Sequence, residues 1–211
     1  MGHRETIYQG IVNGNMKAVQ EATAAALSES MPAAELLNEV MIPAMAEVGH
    51  LFEINEYYVP EMLIAARAMK AGIALLRPEL LKEKVEPKGR VVLGTAKGDL
   101  HDIGKNLVGI MVEGAGFEII DLGVDVSPEK FVNAAKESNA DVIGVSALLT
   151  TTMPGMKNTV EAVKEAGLNG KIKVIIGGAP VTQKYADEIG ADGYARDAAS
   201  AATLVKKLLG K

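Results

Sequence analysis

Cysteine and tryptophan are absent from this sequence of 211 residues, and only 4% of the residues are aromatic. Without cysteine, neither disulfide bonds nor thiolate-ligated metal sites are available to the protein. The absence also fits a reducing compartment, and we therefore expect a cytoplasmic location. Because aromatic rings are scarce, the 48% of residues that are hydrophobic must build the core from aliphatic side chains and from the 10 methionines.

Long apolar runs and clusters of basic residues are also missing. A membrane-spanning helix needs about 18 or more consecutive apolar residues, and the chain has no such run and no secretory signal pattern at its start. The formal net charge is -5, from 22 Lys and Arg against 27 Asp and Glu. Because such a charge disfavours binding to nucleic acid, we expect neither a nucleic acid nor a membrane among the partners.

The first part of the chain has the hydrophobic periodicity of helices, with apolar residues three or four apart and no convincing strand. The predicted helices cover residues 4–15, 16–30, 33–52 and 57–80. Short connections between them predict an antiparallel four-helix bundle. We expect the first helix to end at Gly14 or Asn15. Pro43 must kink the third helix or begin a new one there, and Pro60 suits the first turn of the fourth.

The charged, proline-containing residues 79–88 are predicted to be a linker between a helical domain over 1–88 and a second domain over 89–211. In the second domain, short apolar runs alternate with amphipathic stretches. The predicted strands are 90–95, 117–123, 141–147, 171–178 and 192–195, and the predicted helices are about 102–115, 127–138, 153–166, 181–189 and 197–209. This alternation is typical of a Rossmann-like, flavodoxin-like α/β fold with a five-stranded parallel sheet covered on both faces.

Ligands of such sheets bind beyond the carboxyl ends of the strands, where the first loop is GTAKGDLHDIGKN. This loop matches neither the Walker phosphate motif nor the dinucleotide fingerprint. Asp99 and His101 are two residues apart, so in an extended loop their side chains point the same way. The carboxylate would then accept a hydrogen bond from one imidazole nitrogen and leave the other free to bind a metal. Gly104 would let a bulky group approach the backbone.

Two later loops offer further groups at the same edge of the sheet. The loop after the third strand carries the hydroxyl side chains of Ser146, Thr150, Thr151 and Thr152. We expect Thr151 and Thr152 to cap the helix that follows. The loop after the fourth strand begins with Gly177 and Gly178, which add no side chains. A single histidine holds a free zinc ion poorly, but it can serve as the axial ligand of a metal that a macrocycle already holds.

These motifs resemble those of the cobalamin-binding domain family in both order and spacing. They are Asp-x-His-x-x-Gly ending at Gly104, Ser-x-Leu ending at Leu148, and the pair Gly177-Gly178. The resemblance implies a cobalamin whose dimethylbenzimidazole tail has left the cobalt and entered a slot in the sheet.

In that arrangement, the resemblance makes His101 the lower cobalt ligand and Asp99 the residue that tunes it. It also implies that Ser146 hydrogen-bonds either the tail or the His–Asp pair, that Thr150 contacts the tail, and that the glycines make room.

The segment VGHLFEINEYYVPEM resembles the helical cap found beside this domain in methionine synthase and in small methyl-carrying corrinoid proteins. The resemblance implies that Phe52 and Val59 lie over the upper face of the cobalt, and that the linker 79–88 is a hinge. It covers nearly the whole chain. It is greatest to the corrinoid proteins of methylamine, quaternary-amine and methoxy-aromatic methyltransferase systems.

The function implied is that of a corrinoid methyl carrier, a subunit of a multi-component methyltransferase rather than a stand-alone enzyme. The cobalt, cycling between Co(I) and methyl-Co(III), would take a methyl group from a methylated or quaternary amine bound to a substrate-specific methyltransferase. A second methyltransferase, on the coenzyme M or tetrahydrofolate side, would remove it. A reductive activase would be the third partner.

Four alternatives stay open from the sequence. The first is a carrier for methoxy-aromatic compounds or methanol. The second is an adenosylcobalamin mutase subunit, which shares the Asp-x-His-x-x-Gly motif but pairs with a barrel that this cap would obstruct. The third is a cobalamin-sensing module, and the fourth is a flavodoxin-like signalling domain without cobalamin. The cofactor's upper ligand and the presence of bound corrinoid distinguish among them.

Overall fold

The computed structural model describes residues 2–211, with helices alone in the first part and helices alternating with strands in the second. Residues up to Glu86 group with Gly114–Gly116 as one unit, while Pro87–Glu113 and Phe117–Lys211 form the other. The predicted fold class, a helical bundle followed by a five-stranded parallel sheet, is confirmed. Within the described chain, no helix is long and apolar enough to cross a membrane.

The first unit is built from helices that pack around aliphatic and methionine side chains. Its elements are α1 (His3–Val12), α2 (Met16–Ser28), α3 (Ala33–Glu35), a π-helical turn (Leu36–Met41), α4 (Ile42–Glu53) and α5 (Val59–Lys82). Because α3, the π turn and α4 follow one another without a break, the unit has four helical stretches. The buried methionines are Met41, Met45, Met62 and Met69. They fill the space that aromatic rings occupy in other cores.

Pro43 lies in the first turn of α4, in agreement with the predicted alternative that a new helix begins there, and a π turn directly precedes this helix. The amide of Ile42 bonds to the carbonyl of Leu37, five residues back, instead of four. A proline has no amide hydrogen and its ring crowds the carbonyl one α-helical turn back. The wider turn changes this hydrogen-bond pattern just before Pro43, so that the chain stays helical from Ala33 to Glu53.

Two predicted boundaries in this unit are wrong. Helix α1 ends at Val12, because Gly14 has a φ of 69° and the Asn15 side chain caps α2 by accepting from the amide of Ala18. Helix α5 continues through Pro78 to Lys82, so residues 79–82 are helical and not part of an irregular linker. Pro78 is tolerated because it removes one hydrogen bond on the exposed face, where water can solvate the freed carbonyl.

The second unit has strands β1 (Arg90–Thr95), β2 (Glu118–Asp121), β3 (Val142–Ser146), β4 (Lys173–Gly177) and β5 (Gly193–Ala195). Its helices are α6 (Ile103–Gly114), α7 (Pro128–Glu137), α8 (Pro154–Glu165), α9 (Gln183–Ile189) and α10 (Ala198–Leu209). The strands are all parallel and lie in the order β2-β1-β3-β4-β5. This is the flavodoxin-like order expected from the sequence.

Successive residues of β1 face opposite sides of the sheet, and helices cover both sides. Val92 belongs to an apolar cluster that also contains Phe131 of α7 and Met156 of α8. Leu93 faces the other side, where its side chain lies 3.3 Å from the position that a Cβ of Gly109 in α6 would take. Both faces of the strand are therefore buried, which explains why its sequence is a continuous apolar run.

The strand order reverses between β1 and β3, which places the topological switch point of the sheet there. At the carboxyl edge, Thr95 of β1 is paired with Ser146 of β3, and Ser146 is paired with Gly177 of β4. The loops that carry the predicted site residues thus leave three adjacent strands side by side. A parallel sheet of this topology binds its ligands in the crevice outside such a point.

Candidate functional site

A tight turn after β1 carries the histidine motif. The amide of Asp99 donates to the carbonyl of Ala96 at 3.0 Å, which closes a four-residue turn. Gly98 takes the third position of this turn with a φ of +83°, a conformation that favours glycine. The turn reverses the chain, so that the Asp99 side chain points inward and is 0% exposed while His101 follows at the surface.

The Asp99 carboxylate accepts hydrogen bonds through both oxygens. Oδ1 accepts from Nδ1 of His101 at 2.7 Å and from the His101 amide at 3.1 Å. Oδ2 accepts from the hydroxyl of Thr152 at 2.6 Å and from the amides of Leu148 at 2.8 Å and Leu149 at 3.3 Å. One oxygen therefore accepts hydrogen bonds from the loop after β1, and the other accepts them from the loop after β3, on the other side of the switch point.

These contacts determine the charge of Asp99 and the tautomer that a neutral His101 ring adopts. Burial raises the pKa of the Asp99 carboxyl, but hydrogen bonds from Thr152, His101 and the Leu148 amide outweigh burial and hold that pKa well below its usual range. Asp99 is therefore an anion that only accepts hydrogen bonds. The proton of the neutral imidazole must then lie on Nδ1 of His101, which leaves the Nε2 lone pair free for a ligand bond.

Thr152 bonds to Asp99, although the sequence predicts that Thr152 caps the helix that follows. Helix α8 begins at Pro154, its N-cap residue is Met153, and no side-chain hydroxyl caps it. The Thr152 side chain is buried against Asp99 instead, and its hydroxyl also lies 2.8 Å from the carbonyl of Leu149. Thr151 is exposed and likewise does not cap α8. The capping prediction is therefore wrong for both threonines.

Ser146 lies at the predicted edge without joining the His–Asp pair. In the part of the chain that the structure describes, its hydroxyl donates to neither Asp99 nor His101. The other expectation for Ser146, a contact with the nucleotide tail, stays a prediction. Thr150 is exposed in the same loop, and its contact with the tail is likewise a prediction.

The three glycines of the motifs differ in what surrounds them. Gly178 has a φ of +133°, and a Cβ there would collide with the carbonyl oxygen of Ala147. A Cβ on Gly177 would lie 2.9 Å from the carbonyl oxygen of Ala195. Both positions therefore need glycine for backbone packing alone. Gly104 is different, because a Cβ there would meet no atom within 4 Å, so packing within the protein does not require its small size.

The loop after β2 supports the histidine turn from the other side. The Asp125 carboxylate accepts from the amide of Gly98 at 2.7 Å, and the Asp125 amide donates to the carbonyl of Asp99 at 3.0 Å. The start of this loop is fixed by the buried Lys105, whose Nζ lies 2.6 Å from a carboxylate oxygen of Asp121. The sequence prediction did not identify these residues, because their partners are distant along the chain.

Large exposed apolar side chains occur in the chain segment around His101 and in the loop after β3. Leu100 and Ile103 are 72% and 76% exposed, and Leu148 and Leu149 are 43% and 42% exposed. Leu148 and Leu149 are held at the histidine loop by their amide bonds to Asp99. Such side chains seldom cluster on a protein surface unless something covers them.

Phe52 and Val59 belong to the helical unit. Phe52 lies in the last turn of α4 and Val59 is the first residue of α5, so the two residues flank one short connection. Both are partly buried. Their position over the cobalt stays a prediction.

The available donors fit a metal that a macrocycle holds. No group of three or more His, Asp or Glu side chains within residues 2–211 is arranged to bind a free metal ion. His101 presents one nitrogen, Nε2, and its side chain is 51% exposed. Around it lie exposed apolar side chains and the open space at Gly104. One axial nitrogen beside an apolar surface suits a large flat ring such as a corrin.

The chain matches family models of the B12 binding domain over residues 89–203 and again over residues 3–77. It is 42% identical to a corrinoid protein of Desulfitobacterium hafniense (strain Y51) over 210 residues, 98% of this chain and 97% of that one. It is also 42% identical to dimethylamine corrinoid protein 1 of Methanosarcina acetivorans over 210 residues, 98% of this chain and 99% of that one.

Among solved structures, the chain is similar to the methanol:cobalamin methyltransferase complex of Methanosarcina barkeri, with a TM-score of 0.85 and 29% identity. The match covers 99% of this chain and 80% of that one. Because these matches cover both units and agree with the geometry around His101, the protein's cofactor is a cobalamin or a related corrinoid. The chain belongs to the B12-binding corrinoid proteins of methyltransferase systems.

Proposed function

We propose that this protein is the methyl carrier of a methylated-amine methyltransferase system. It would receive a methyl group from an amine bound to a partner methyltransferase and deliver it to a second methyltransferase. The observation that carries the proposal is the Asp99–His101 pair, which leaves Nε2 free at a surface rimmed by apolar side chains. The choice of amine is supported by 42% identity to a dimethylamine corrinoid protein over 98% of the chain.

The residues of this chain would hold the cofactor and orient it. His101 would supply the lower ligand through Nε2, and Asp99 would keep the proton on Nδ1. When bound, the corrinoid supplies a cobalt that accepts and releases the methyl group, which is chemistry that no side chain of the protein performs. Thr152 and the Leu148 amide would hold the Asp99 carboxylate in place, so that the imidazole keeps one tautomer and one orientation.

The remaining partners follow from the same function. The acceptor methyltransferase would use a thiol such as coenzyme M, or a tetrahydrofolate. A reductive activase would restore the cofactor after oxidation. Since the donor substrate would be held by the partner methyltransferase, the specificity for dimethylamine, monomethylamine or a quaternary amine would depend on which methyltransferase the carrier fits.

A panel of methyl donors tests the proposal. The protein is reconstituted anaerobically with hydroxocobalamin, reduced, and mixed with methyltransferases specific for dimethylamine, monomethylamine, a quaternary amine, a methoxy-aromatic compound or methanol. Each donor carries a 13C-methyl group, and the label retained by the carrier is measured after gel filtration. We expect retention with one of the amine pairs and none with the His101→Ala variant. The matched control is His50→Ala, an exposed histidine of the helical unit.

Methanol is the second candidate donor, because the solved methanol complex has a TM-score of 0.85 to this chain. Label retained from methanol but from none of the amines would contradict the amine proposal and keep the carrier function. Wild-type protein that retains label from no donor, although it binds the corrinoid, would contradict the carrier function itself. A mutase subunit or a sensor would give that second result.

A further inference from the structure

The last residue of β1 holds the backbone of the histidine loop. Thr95 is 0% exposed, and its hydroxyl donates to the main-chain carbonyl of His101 at 2.9 Å. The contact spans six residues, from the end of the strand to the far side of the turn. A buried hydroxyl aimed at this particular carbonyl is not needed to form the strand, since valine has the higher β propensity and nearly the same shape.

Thr95 is itself fixed on both sides, by the loop after β2 and by strand β3. Its amide donates to the carbonyl of Gly123 at 3.0 Å, and its carbonyl accepts from the amide of Val126 at 2.9 Å. On the other side, it is paired in register with Ser146 of β3. The hydroxyl therefore projects from a strand position that has little freedom to move. Its bond holds the His101 carbonyl at a fixed position relative to β1.

His101 then has three hydrogen-bond anchors, two from Asp99 in its own loop and one from Thr95 at the end of β1. Two of them are on Asp99, which accepts from the His101 amide and from the ring atom Nδ1. The third is the Thr95 hydroxyl, on the carbonyl. The Asp99 bonds fix the tautomer and hold the ring to the carboxylate, and they act on the ring and the amide of His101. Among the described residues, the donor to the His101 carbonyl is the Thr95 hydroxyl, so the Thr95 bond secures the carbonyl side of the residue.

We propose that Thr95 is a positioning residue for the cofactor ligand. Its buried hydroxyl fixes the main chain of His101, so that the imidazole meets the cobalt with Nε2 at one place and one angle. This inference rests on the proposed function, in which His101 is the lower ligand. Metal ligands are held to about half an ångström by such supporting contacts, and a loosened support weakens the bond without removing the ligand.

Three variants separate positioning from general stability. Thr95→Val removes the hydroxyl and keeps the shape, whereas Thr95→Ser keeps the hydroxyl. The matched control is Thr159→Val, because Thr159 is also buried in the second unit and its hydroxyl also donates to a main-chain carbonyl, that of Gly155, at 2.8 Å. Thr95→Ala replaces Thr95→Val if the valine variant does not fold.

The first measurement is amide hydrogen exchange of the cofactor-free protein. We expect the amide of His101, which donates to Asp99, to exchange about tenfold faster or more in Thr95→Val than in wild type, as local opening of the loop becomes easier. It should exchange at the wild-type rate in Thr95→Ser and Thr159→Val. Equal rates in wild type and Thr95→Val would overturn the inference, and so would the same acceleration in Thr159→Val.

The second measurement is the absorption spectrum after reconstitution with hydroxocobalamin at one fixed pH. Thr95→Val should bind the corrinoid but show a smaller histidine-ligated fraction than wild type, and Thr95→Ser should restore it. An unchanged fraction in Thr95→Val would overturn the inference even if its exchange is faster. If wild type binds no corrinoid, the proposed function fails. The exchange experiment alone then decides whether Thr95 holds the loop, so the two failures are distinguishable.

Discussion

The Nδ1 atom of His101 lies 2.7 Å from Oδ1 of Asp99, and the other oxygen of the same carboxylate lies 2.6 Å from the hydroxyl of Thr152. Asp99 and Thr152 are 53 residues apart along the chain. The carboxylate thus joins the histidine loop to the loop of the neighbouring strand.

Replacing Asp99 should change the stability of the protein in a pH-dependent way. The folded-state pKa of Asp99 lies below the unfolded value of 3.8, so its stabilising contribution is fully present above that value and is lost as the pH falls through the folded pKa. We expect Asp99→Asn to lower the free energy of unfolding by about 2–4 kcal/mol above about pH 5, since it breaks a buried, charge-assisted network.

Urea unfolding at a series of pH values measures this. The difference between wild type and Asp99→Asn should be constant above about pH 5 and should shrink as the pH falls below the unfolded pKa. The control is Asp187→Asn, on the surface helix α9 and paired with Gln183. A difference for Asp99→Asn that stays constant at every pH would contradict the ionised, hydrogen-bonded state of the carboxyl.

The Thr152 hydroxyl should matter to the same network, but less than Asp99. Thr152→Val removes one donor to a buried anion, and we expect it to destabilise the protein by about 1.5–3 kcal/mol. Thr152→Ser keeps the hydroxyl and should recover most of the loss. Thr151→Val, at an exposed neighbouring position, should change the stability by less than about 0.5 kcal/mol. Equal effects of the Thr151 and Thr152 variants would show that the contact with Asp99 is unimportant.

Substitutions at the motif glycines should distinguish a glycine that is needed for cofactor binding from one that is needed for folding. Gly104→Ala adds a methyl group where no atom lies within 4 Å, so the cofactor-free protein should keep its stability to about 0.5 kcal/mol. If Gly104 makes room for the corrinoid, the same variant should bind hydroxocobalamin more weakly. Gly178→Ala places a Cβ against a carbonyl oxygen at a φ of +133°, and should destabilise the fold by more than about 3 kcal/mol.

Thermal unfolding and equilibrium binding distinguish the two glycine variants. If Gly104→Ala binds the corrinoid as tightly as wild type, Gly104 does not make room for the cofactor. A Gly178→Ala protein of wild-type stability would show that the backbone at this strand end can relax.

Thr23 offers a test of the helical unit that is independent of the cofactor. Its side chain is buried in α2, and among the described residues its hydroxyl has no hydrogen-bond partner. A buried, unsatisfied hydroxyl costs free energy, so Thr23→Val should stabilise the protein by about 1 kcal/mol. Thr159→Val is the opposite case, because it removes a satisfied hydroxyl and should be neutral or destabilising. A lower melting temperature for Thr23→Val would contradict the packing described for α2.

The elements of the fold were largely predictable because their signals are local. The apolar run of β1 and the alternation after residue 89 identify the strands, and β1 has the predicted bounds. The predicted end of helix α5 at residue 80 is two residues too early, since the charged, proline-containing composition of residues 79–88 is typical of a linker and does not show that the helix continues to Lys82. The π turn before Pro43 likewise leaves no simple mark in the hydrophobic pattern.

At the site too, contacts between residues close in sequence were predictable, and contacts between distant residues were not. The hydrogen bond between Asp99 and His101 joins residues two apart, so the motif alone predicts it. The contact of Thr152 with Asp99 requires β1 and β3 to be neighbours, and the Thr95 contact requires the turn at Gly98 to be closed. A hydroxyl directly before a helix has the sequence of a cap, which is why Thr152 was assigned that role.

The measurement that tests the central claim most directly is the absorption spectrum of the protein reconstituted anaerobically with hydroxocobalamin, for wild type, His101→Ala and His50→Ala. With His101 as the cobalt's lower ligand, wild type and His50→Ala should show the same histidine-ligated spectrum, and His101→Ala should bind the corrinoid without it. An unchanged spectrum in His101→Ala would contradict the claim.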